Sequence, residues 1–478
     1  MARNRKRTKI VATLGPATNT KEILSEMMVS GVNVFRINFS HADYEEVARR
    51  VALIREINAE KGFHVAVLAD LQGPKLRVGI MEEGVKLALG DTFTFRTEKC
   101  DGNREQAYMT YQNFPKDVQV GEHILVDDGK LLFEVTGTDG KTKVFTKVLR
   151  GGELKSKKGV NLPNTKISLP ALTEKDREDL LFAIKLKVDW VALSFVRTDQ
   201  DLIELKEYMA ENSGYSIPVV AKIEKPEAIA NIDKITPHCE ALMVARGDLG
   251  VEVPMEKVPL LQKRLVMKAK KATIPVIIAT QMMETMINSE VPTRAEVNDV
   301  ANSIMDGADA VMLSGETSVG SFPIQVIKQV RKIIENVENS PLINAPEVFA
   351  KCINERFISK TICHQAAIMA DSIDAEVIST LTASGYTAFH ISSWRPKSNI
   401  LVFSSNRRIL AMLNLLWGVK GVYYDRFVST DQTIEDINTL AYERGYLKEG
   451  DYAINITSMP VKKRGMANTI RVTEFNKS

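Results

Sequence analysis

In the stretch Val219–Ala228, VVAKIEKPEA, an apolar run stops at Lys222-Ile223-Glu224. Side chains along a strand alternate faces with a period of two, so Lys222 and Glu224 project the same way. An ammonium and a carboxylate side by side at a strand end can do paired chemistry. The lysine can stabilise a phosphoryl group in transfer or the oxygen of a developing enolate. The glutamate can ligate a hard divalent cation. Asp248, in Arg246-Gly247-Asp248, supplies a second carboxylate. That suffices for Mg²⁺, which keeps several waters and takes one or two protein carboxylates. Backbone N–H groups around Gly247 and Asp248 could receive a carboxylate of the substrate. Taken singly, a Lys/Glu pair is usually a structural ion pair and Arg-Gly-Asp usually a loop.

The elements that must position these groups are eight apolar, β-branched runs: Lys9–Leu14, Val32–Ile37, His64–Ala69, Trp190–Phe195, Ile217–Ile223, Ala241–Ala245, Pro275–Ala279 and Ala310–Leu313. They are near-continuous rather than alternating, as in a parallel sheet buried on both faces. Amphipathic helices separate most of them. Val258, Leu261, Leu265, Ala269 and Ala272 recur at helical spacing. Thr293-Arg294-Ala295-Glu296 is a capping box whose helix stops at Gly307. The alternation predicts a (β/α)8 TIM barrel, whose strand C-terminal ends form the reaction face. Those ends read Arg36-Ile37-Asn38-Phe39-Ser40, Asp70-Leu71-Gln72-Gly73-Pro74-Lys75, Ser194-Phe195, Lys222 and Glu224, Arg246-Gly247-Asp248, Thr280-Gln281 and Ser314-Gly315-Glu316. Solvated polar residues need not collect at one end of nearly every strand, so together they mark a site.

Between the third and fourth runs lie short alternating segments, KLALGDTFTF and KVFTKVL, with turn signals at Asp128-Gly129 and Asp139-Gly140. The expected division is 1–73 for the first part of the barrel and 74–169 for an inserted β-rich lid domain. The barrel then resumes over 170–340, and 341–478 forms a C-terminal open α/β regulatory domain. The last is read from strand-like AEVISTLTASGYTA, NILVFSS, KGVYYD and DYAINITSMP. The chain ends soon after it, so no further phosphotransfer module is expected.

Composition narrows the class. The formal charge of +3 over 478 residues argues against a dedicated nucleic-acid or membrane-surface partner. No apolar run is long enough to span a bilayer, and the basic Arg3–Arg7 run is not followed by a signal-peptide core. Four cysteines without CxxC spacing fit a reduced, cytoplasmic setting. No HExxH, Rossmann glycine fingerprint or Walker A sequence is present.

The motifs VFRINFSH, GPKLRVG, KGVNLP, LTEKD, ALSFVR, IPVVAKIEKPEAI, MVARGDLGVE, ATQMMETM, PTRAEV and MLSGET occur in this order. In them the chain resembles pyruvate kinase over essentially its whole length. The resemblance implies transfer of the phosphoryl group of phosphoenolpyruvate to ADP, giving pyruvate and ATP in glycolysis. It implies that Arg36 contacts the substrate phosphate and that Lys222 stabilises the phosphoryl and the enolate. Glu224 and Asp248 would ligate Mg²⁺ or Mn²⁺. Gly247, Asp248 and Thr280 would hold the substrate carboxylate. Arg77, Lys158 and Lys175 would face the nucleotide phosphates, and a second metal would enter with the nucleotide. Thr280 and Ser314 lie where a water chain could protonate the enolate, although the sequence does not assign the donor. A homotetramer is implied as well. Another metal-dependent phosphoenolpyruvate or pyruvate barrel would explain Glu224 and Asp248 but not a lid bearing Arg77 and Lys158. A silent metabolite sensor would have no need of Lys222, Glu224 and Asp248 together.

Two departures carry consequences. Family members that bind K⁺ do so at positions matching Asn38, Ser40, Asp70 and the carbonyl of Leu71, and usually read Asp-Thr-Lys-Gly-Pro-Glu there. This chain reads Asp70-Leu71-Gln72-Gly73-Pro74-Lys75. A fixed ammonium could replace the ion's charge, so K⁺-independent activity is expected. In the C-terminal domain, Thr382, Ser384, Gly385 and Thr387 form a turn with the makings of a phosphate cradle. The family places its allosteric phosphate loop there, and Lys462-Lys463-Arg464-Gly465 could add charge. Tyr386 stands where some relatives carry a basic residue. The Leu71, Gln72 and Lys75 pattern resembles bacterial members activated by AMP or sugar monophosphates, and this resemblance implies that class of activator rather than a bisphosphate. Asn164, where the family commonly has glycine, puts little in doubt, since Asn tolerates left-handed backbone.

Overall fold

The computed structural model describes residues 6–163, 165–340, 356–426, 429–459 and 466–476. Eight parallel strands close into one barrel: β1 (Lys9–Thr13), β2 (Val34–Asn38), β3 (Ala66–Asp70), β4 (Trp190–Leu193), β5 (Val219–Ile223), β6 (Ala241–Ala245), β7 (Val276–Ala279) and β8 (Ala310–Leu313). All eight expected runs are strands, six of them with an end shifted by a residue or two. The shifts have causes. β3 runs on to Asp70 because Asp70 still has partners on both sides, Asn38 and Ala192. β4 stops short of Phe195, whose φ of 55° a strand cannot accommodate.

The two-residue period sorts each strand. Val34, Leu68, Trp190, Val220, Met243 and Ile277 pack inside the barrel as one apolar cluster. Phe35, Val67, Ala221 and Ile223 face outward and join the cluster beneath the helices. Two residues beyond Val34, Leu68 and Val220 on the inward face stand Arg36, Asp70 and Lys222. The barrel is therefore plugged with hydrocarbon below and charged at its C-terminal rim.

The helices follow their sequence signals with one correction. Helix Arg294–Asp306 has the Thr293/Glu296 capping box and ends at Gly307, φ 103°. Helix Val258–Ala272 buries Val258, Gln262, Leu265, Val266 and Ala269. Its stripe is rotated from the expected one, leaving Leu261 half-buried and Ala272 exposed.

The segment between β3 and β4 carries a six-stranded sheet with its own aromatic core of Phe93, Phe95, Phe114 and Phe133. Its two hairpins turn where the Asp-Gly pairs predict, with Gly129 at φ 82° and Gly140 at φ 65°. The C-terminal domain is a five-stranded sheet, parallel except for the edge strand Thr469–Glu474. It docks under the barrel. Leu415 enters the interior cluster, and the Trp190 indole donates to the Met412 carbonyl at 3.1 Å.

Candidate active site

Lys222 is the last inward-facing residue of β5, which ends at Ile223, and Glu224 lies just past it, both buried. The Lys222 ammonium lies 3.0 Å from Glu224 Oε1 and 3.2 Å from Asp70 Oδ1, and donates to the Ser194 hydroxyl at 2.6 Å. Arg36 Nε donates to Asp70 Oδ2 at 2.6 Å, and a terminal nitrogen of Arg36 donates to Thr13 Oγ1 at 3.1 Å. The first five strands thus deliver one connected set to the rim.

Its charges follow from burial and neighbours. Burial works against the Lys222 ammonium, but Asp70 and Glu224 outweigh it and raise its pKa. Burial likewise pushes Asp70 up, and Lys222 and Arg36 more than reverse this, holding it below the usual carboxylate range. For Glu224 burial wins. It is pushed up against the pull of Lys222, with Asp248 adding to the rise. Two cations and two acids therefore share one pocket with little water to screen them.

The turns that follow β6 and β7 are strained or clamped. Thr280 and Gln281 take φ of 68° and 54°, unusual for residues with side chains. Arg246 holds this bend by donating to the Thr280 carbonyl and to Asp299, each at 2.7 Å. The Gly247 N–H donates to Thr280 Oγ1 at 2.6 Å. Asp248 lies in the first turn of helix Arg246–Glu252 and lines the mouth cavity together with Lys75, Asn161, Phe195, Lys225 and Glu252.

The same chain matches two family models, "Pyruvate kinase, barrel domain" over residues 5–327 and "Pyruvate kinase, alpha/beta domain" over 360–473. It is 42% identical over 471 residues to pyruvate kinase 2 of Synechocystis, covering 98% of this chain and 79% of that one. It is 40% identical to a pyruvate kinase of Mycobacterium intracellulare, covering 98% of each. A crystal structure of a pyruvate kinase from Cryptosporidium parvum superposes with a TM-score of 0.91 at 32% identity, covering 99% of this chain and 97% of that one. The chain belongs to the pyruvate kinase family. It is a phosphotransferase with the fold of that family.

Pyruvate kinases generally use a divalent metal, and the donor set here fits one. Glu224 Oε2 accepts the Phe195 N–H at 2.7 Å, while Glu224 Oε1 is buried and meets only the Lys222 ammonium, at 3.0 Å, among the described residues. A carboxylate oxygen is a hard donor of the kind such a cation takes. Among the described residues no group of three or more His, Cys, Asp or Glu could hold a metal. An ion held by Glu224 and Asp248 would complete its shell with water and substrate, as Mg²⁺ does.

The other expected residues are more dispersed. Ser314 has its N–H held by Glu316 at 2.7 Å and makes no hydrogen bond to Thr280. Arg77 donates to the Lys157 carbonyl at 3.0 Å, Lys158 pairs with Asp127 at 2.8 Å and Lys175 with Asp179 at 2.6 Å. None of these three lines the mouth cavity, although Gly159 does. Around the monovalent-cation positions, Asn38 Oδ1 accepts the Ser40 N–H at 3.2 Å and the Leu71 carbonyl accepts the Ser194 hydroxyl at 2.7 Å. Lys75 is exposed and makes no ion pair among the described residues.

In the C-terminal turn, Thr382 Oγ1 accepts the Gly385 N–H at 2.8 Å, and Gly385, φ 87°, starts helix Tyr386–Ser393. The Thr387 hydroxyl is turned away from that cradle and meets Thr380 Oγ1 at 3.1 Å. Asn164 and Lys462 to Gly465 lie outside the described residues.

Sequence reasoning missed a second buried charge pair. Lys225 donates to Glu252 Oε1 at 2.7 Å, and Asn161 of the inserted sheet donates to the same oxygen at 2.8 Å. The available signal was the one-turn spacing of Asp248 and Glu252 on a single helix. Thr13, the last inward residue of β1, was missed as well.

Proposed function

We propose that this chain transfers the phosphoryl group of phosphoenolpyruvate to ADP, giving pyruvate and ATP in glycolysis. The observation that carries this reading is the Lys222 ammonium gripped by Asp70, Ser194 and Glu224 at the barrel mouth. Phosphoryl transfer needs positioning and charge neutralisation more than covalent help. Arg36 receives the substrate phosphate. Lys222 neutralises the phosphoryl oxygens and then the enolate oxygen left when the ester P–O bond breaks. An oxygen of the ADP β-phosphate forms the new bond to phosphorus. Gly247, Asp248 and Thr280 hold the substrate carboxylate, the Thr280 hydroxyl yielding its present contact with the Gly247 N–H. Arg77, Lys158 and Lys175 receive the nucleotide phosphates once the inserted domain closes over the mouth. The enolate then takes a proton at carbon from water held near Thr280 and Ser314. Mg²⁺ or Mn²⁺ held by Glu224 and Asp248 would supply added neutralisation of phosphoryl charge. An ADP-dependent pyruvate-release assay tests the reading. Pyruvate formation that ignores ADP would overturn it.

The same proposal extends to ions, effectors and assembly. Activity is K⁺-independent, since Asp70 already meets Arg36 and Lys222, the Leu71 carbonyl meets Ser194, and Lys75 lines the mouth. A large fall in rate in tetramethylammonium salts, restored by K⁺, would refute this. The Thr382–Gly385 turn is the seat of an activating AMP or sugar monophosphate, tested by titration at low phosphoenolpyruvate against fructose 1,6-bisphosphate. The working form is a homotetramer in the cytoplasm, and light scattering checks the mass. No described helix is long and apolar enough to cross a membrane.

A further inference from the structure

Among the described residues Asp248 makes no hydrogen bond and no ion pair. Glu224, by contrast, is held by the Phe195 N–H and the Lys222 ammonium. The place of Asp248 is therefore set by the short helix Arg246–Glu252 that carries it. That helix is pinned at both ends. Arg246 grips the Thr280 carbonyl and Asp299 at its start. At its last residue Glu252 Oε1 accepts the Lys225 ammonium at 2.7 Å and the Asn161 amide at 2.8 Å. Glu252 stands one turn beyond Asp248, on the same face, and both line the mouth cavity.

The Glu252 clamp is a poor way to stabilise a helix. A carboxylate in the last turn faces the negative end of the helix dipole. Glu252 and Lys225 are both buried, and Glu252 Oε2 is buried without a hydrogen bond. A buried ion pair is weak evidence for stability, because desolvation offsets its attraction. What the clamp does supply is a fixed spacing between three segments. Lys225 directly follows Glu224 at the end of β5. Glu252 shares its helix with Asp248 at the end of β6. Asn161 stands in strand Val160–Asn161, which pairs with His123–Val126 of the inserted sheet. It lies three residues after Lys158, and the intervening Gly159 bridges to Arg77. The backbone that carries the proposed nucleotide contacts is thus tied, through one carboxylate, to the carriers of both acids.

We propose that Glu252 is a positioning residue for the divalent-ion site. Clamped by Lys225 and by Asn161 of the insert, it holds the Asp248 helix against the Glu224 segment, so the inserted domain sets how tightly the ion is held. The inference rests on reading Glu224 and Asp248 as the ion's ligands. Mn²⁺ alone, titrated into the full chain without substrate or nucleotide, tests it, with free ion counted by electron paramagnetic resonance. The wild type should bind Mn²⁺, and Asp248→Ala should lose that binding. Glu252→Ala should weaken it by about 10- to 100-fold, the scale for removing a group that orients a metal ligand. Asn161→Ala, which cuts only the tie to the insert, should weaken it several-fold. Thermal melts verify that the variants fold. A role in folding alone would lower the melting temperature and leave the Mn²⁺ affinity of the folded protein unchanged. If Glu252→Ala does not fold, Asn161→Ala alone decides. Wild-type affinity in both folded variants, with loss in Asp248→Ala, would overturn the clamp and leave the ion site standing. Weakening in Glu252→Ala alone would overturn the insert's part in it. Undiminished binding in Asp248→Ala, or none in the wild type, would overturn the ion site and the clamp together.

Discussion

Lys222 is fixed by Asp70, Glu224 and Ser194 before any substrate arrives. In the function proposed above, its charge would cost no reorganisation when the phosphoryl moves, which is the condition for strong electrostatic catalysis. Lys222→Met should therefore lower kcat by at least about a hundredfold, with the KM for phosphoenolpyruvate little changed because Arg36 and the Thr280 turn remain. Steady-state pyruvate release checks both numbers. Retained turnover would remove the lysine's central role. The same change leaves Asp70 and Glu224 buried without their shared cation, so it should also cost stability, about 3–5 kcal/mol for a broken buried pair. Chemical unfolding in denaturant measures that loss separately from catalysis. At the rim's other edge, Lys75→Glu removes the ammonium proposed to stand in for a monovalent ion. Its rate in tetramethylammonium salts should fall several-fold and recover with K⁺, whereas the wild type should show no such rescue.

At the level of elements, the strands were legible because burial on both faces writes a continuous apolar run, and the two-residue period then fixed which residues reach the rim. Lys222 and Glu224 followed from that arithmetic, and Arg36 and Asp70 from their places at strand ends. What the sequence did not disclose was built from separate elements. The Lys225–Glu252 pair bridges 27 positions, and Asn161 reaches Glu252 across 91. No local periodicity encodes such meetings, because they depend on how the inserted sheet settles on the barrel. The rotation of helix Val258–Ala272 escaped for a similar reason, since Gln262 is buried by its bonds to Arg246 and Asp306 rather than by hydrophobicity. The Asn161 contact ties the inserted sheet to the barrel. Asn161→Ala removes a hydrogen bond to a charged group, a contact of about 1.5–3 kcal/mol. It should raise the KM for ADP several-fold while kcat changes little, because the insert carries Arg77 and Lys158 but not Lys222. Equal losses in kcat and kcat/KM would instead place Asn161 in the transition state.

For the whole molecule, the barrel and the C-terminal domain meet across contacts that join residues 88 to 410 positions apart in the two examples that follow. Lys9 donates to the Val419 carbonyl at 2.7 Å, and Arg395 donates to the Gly307 carbonyl at 2.6 Å. The sequence predicted both bodies but could not place one beneath the other. Their junction buries several lysines. Burial, with Lys420 nearby, pulls Lys6 down to about 7, and burial with Arg331 nearby pulls Lys420 down to about 8, against an ordinary 10.5. In the unfolded chain these groups stay protonated up to their ordinary value. Between about pH 7 and 10.5 the unfolded state therefore binds more protons than the folded one, and stability rises with pH. Below about 7 Lys6 is charged in both states and its full desolvation cost remains. Lys6→Met cannot titrate, so subtracting its stability from the wild type's isolates this one group from the tyrosines and cysteines that ionise in the same range. The difference should shift toward the wild type as pH rises from 7 to 10, by up to about 1.4 kcal/mol per pH unit for one proton. Denaturant unfolding at four or five pH values measures the slope. A difference that stays flat would mean that Lys6 keeps its proton in the folded protein and that the junction is wetter than its packing implies.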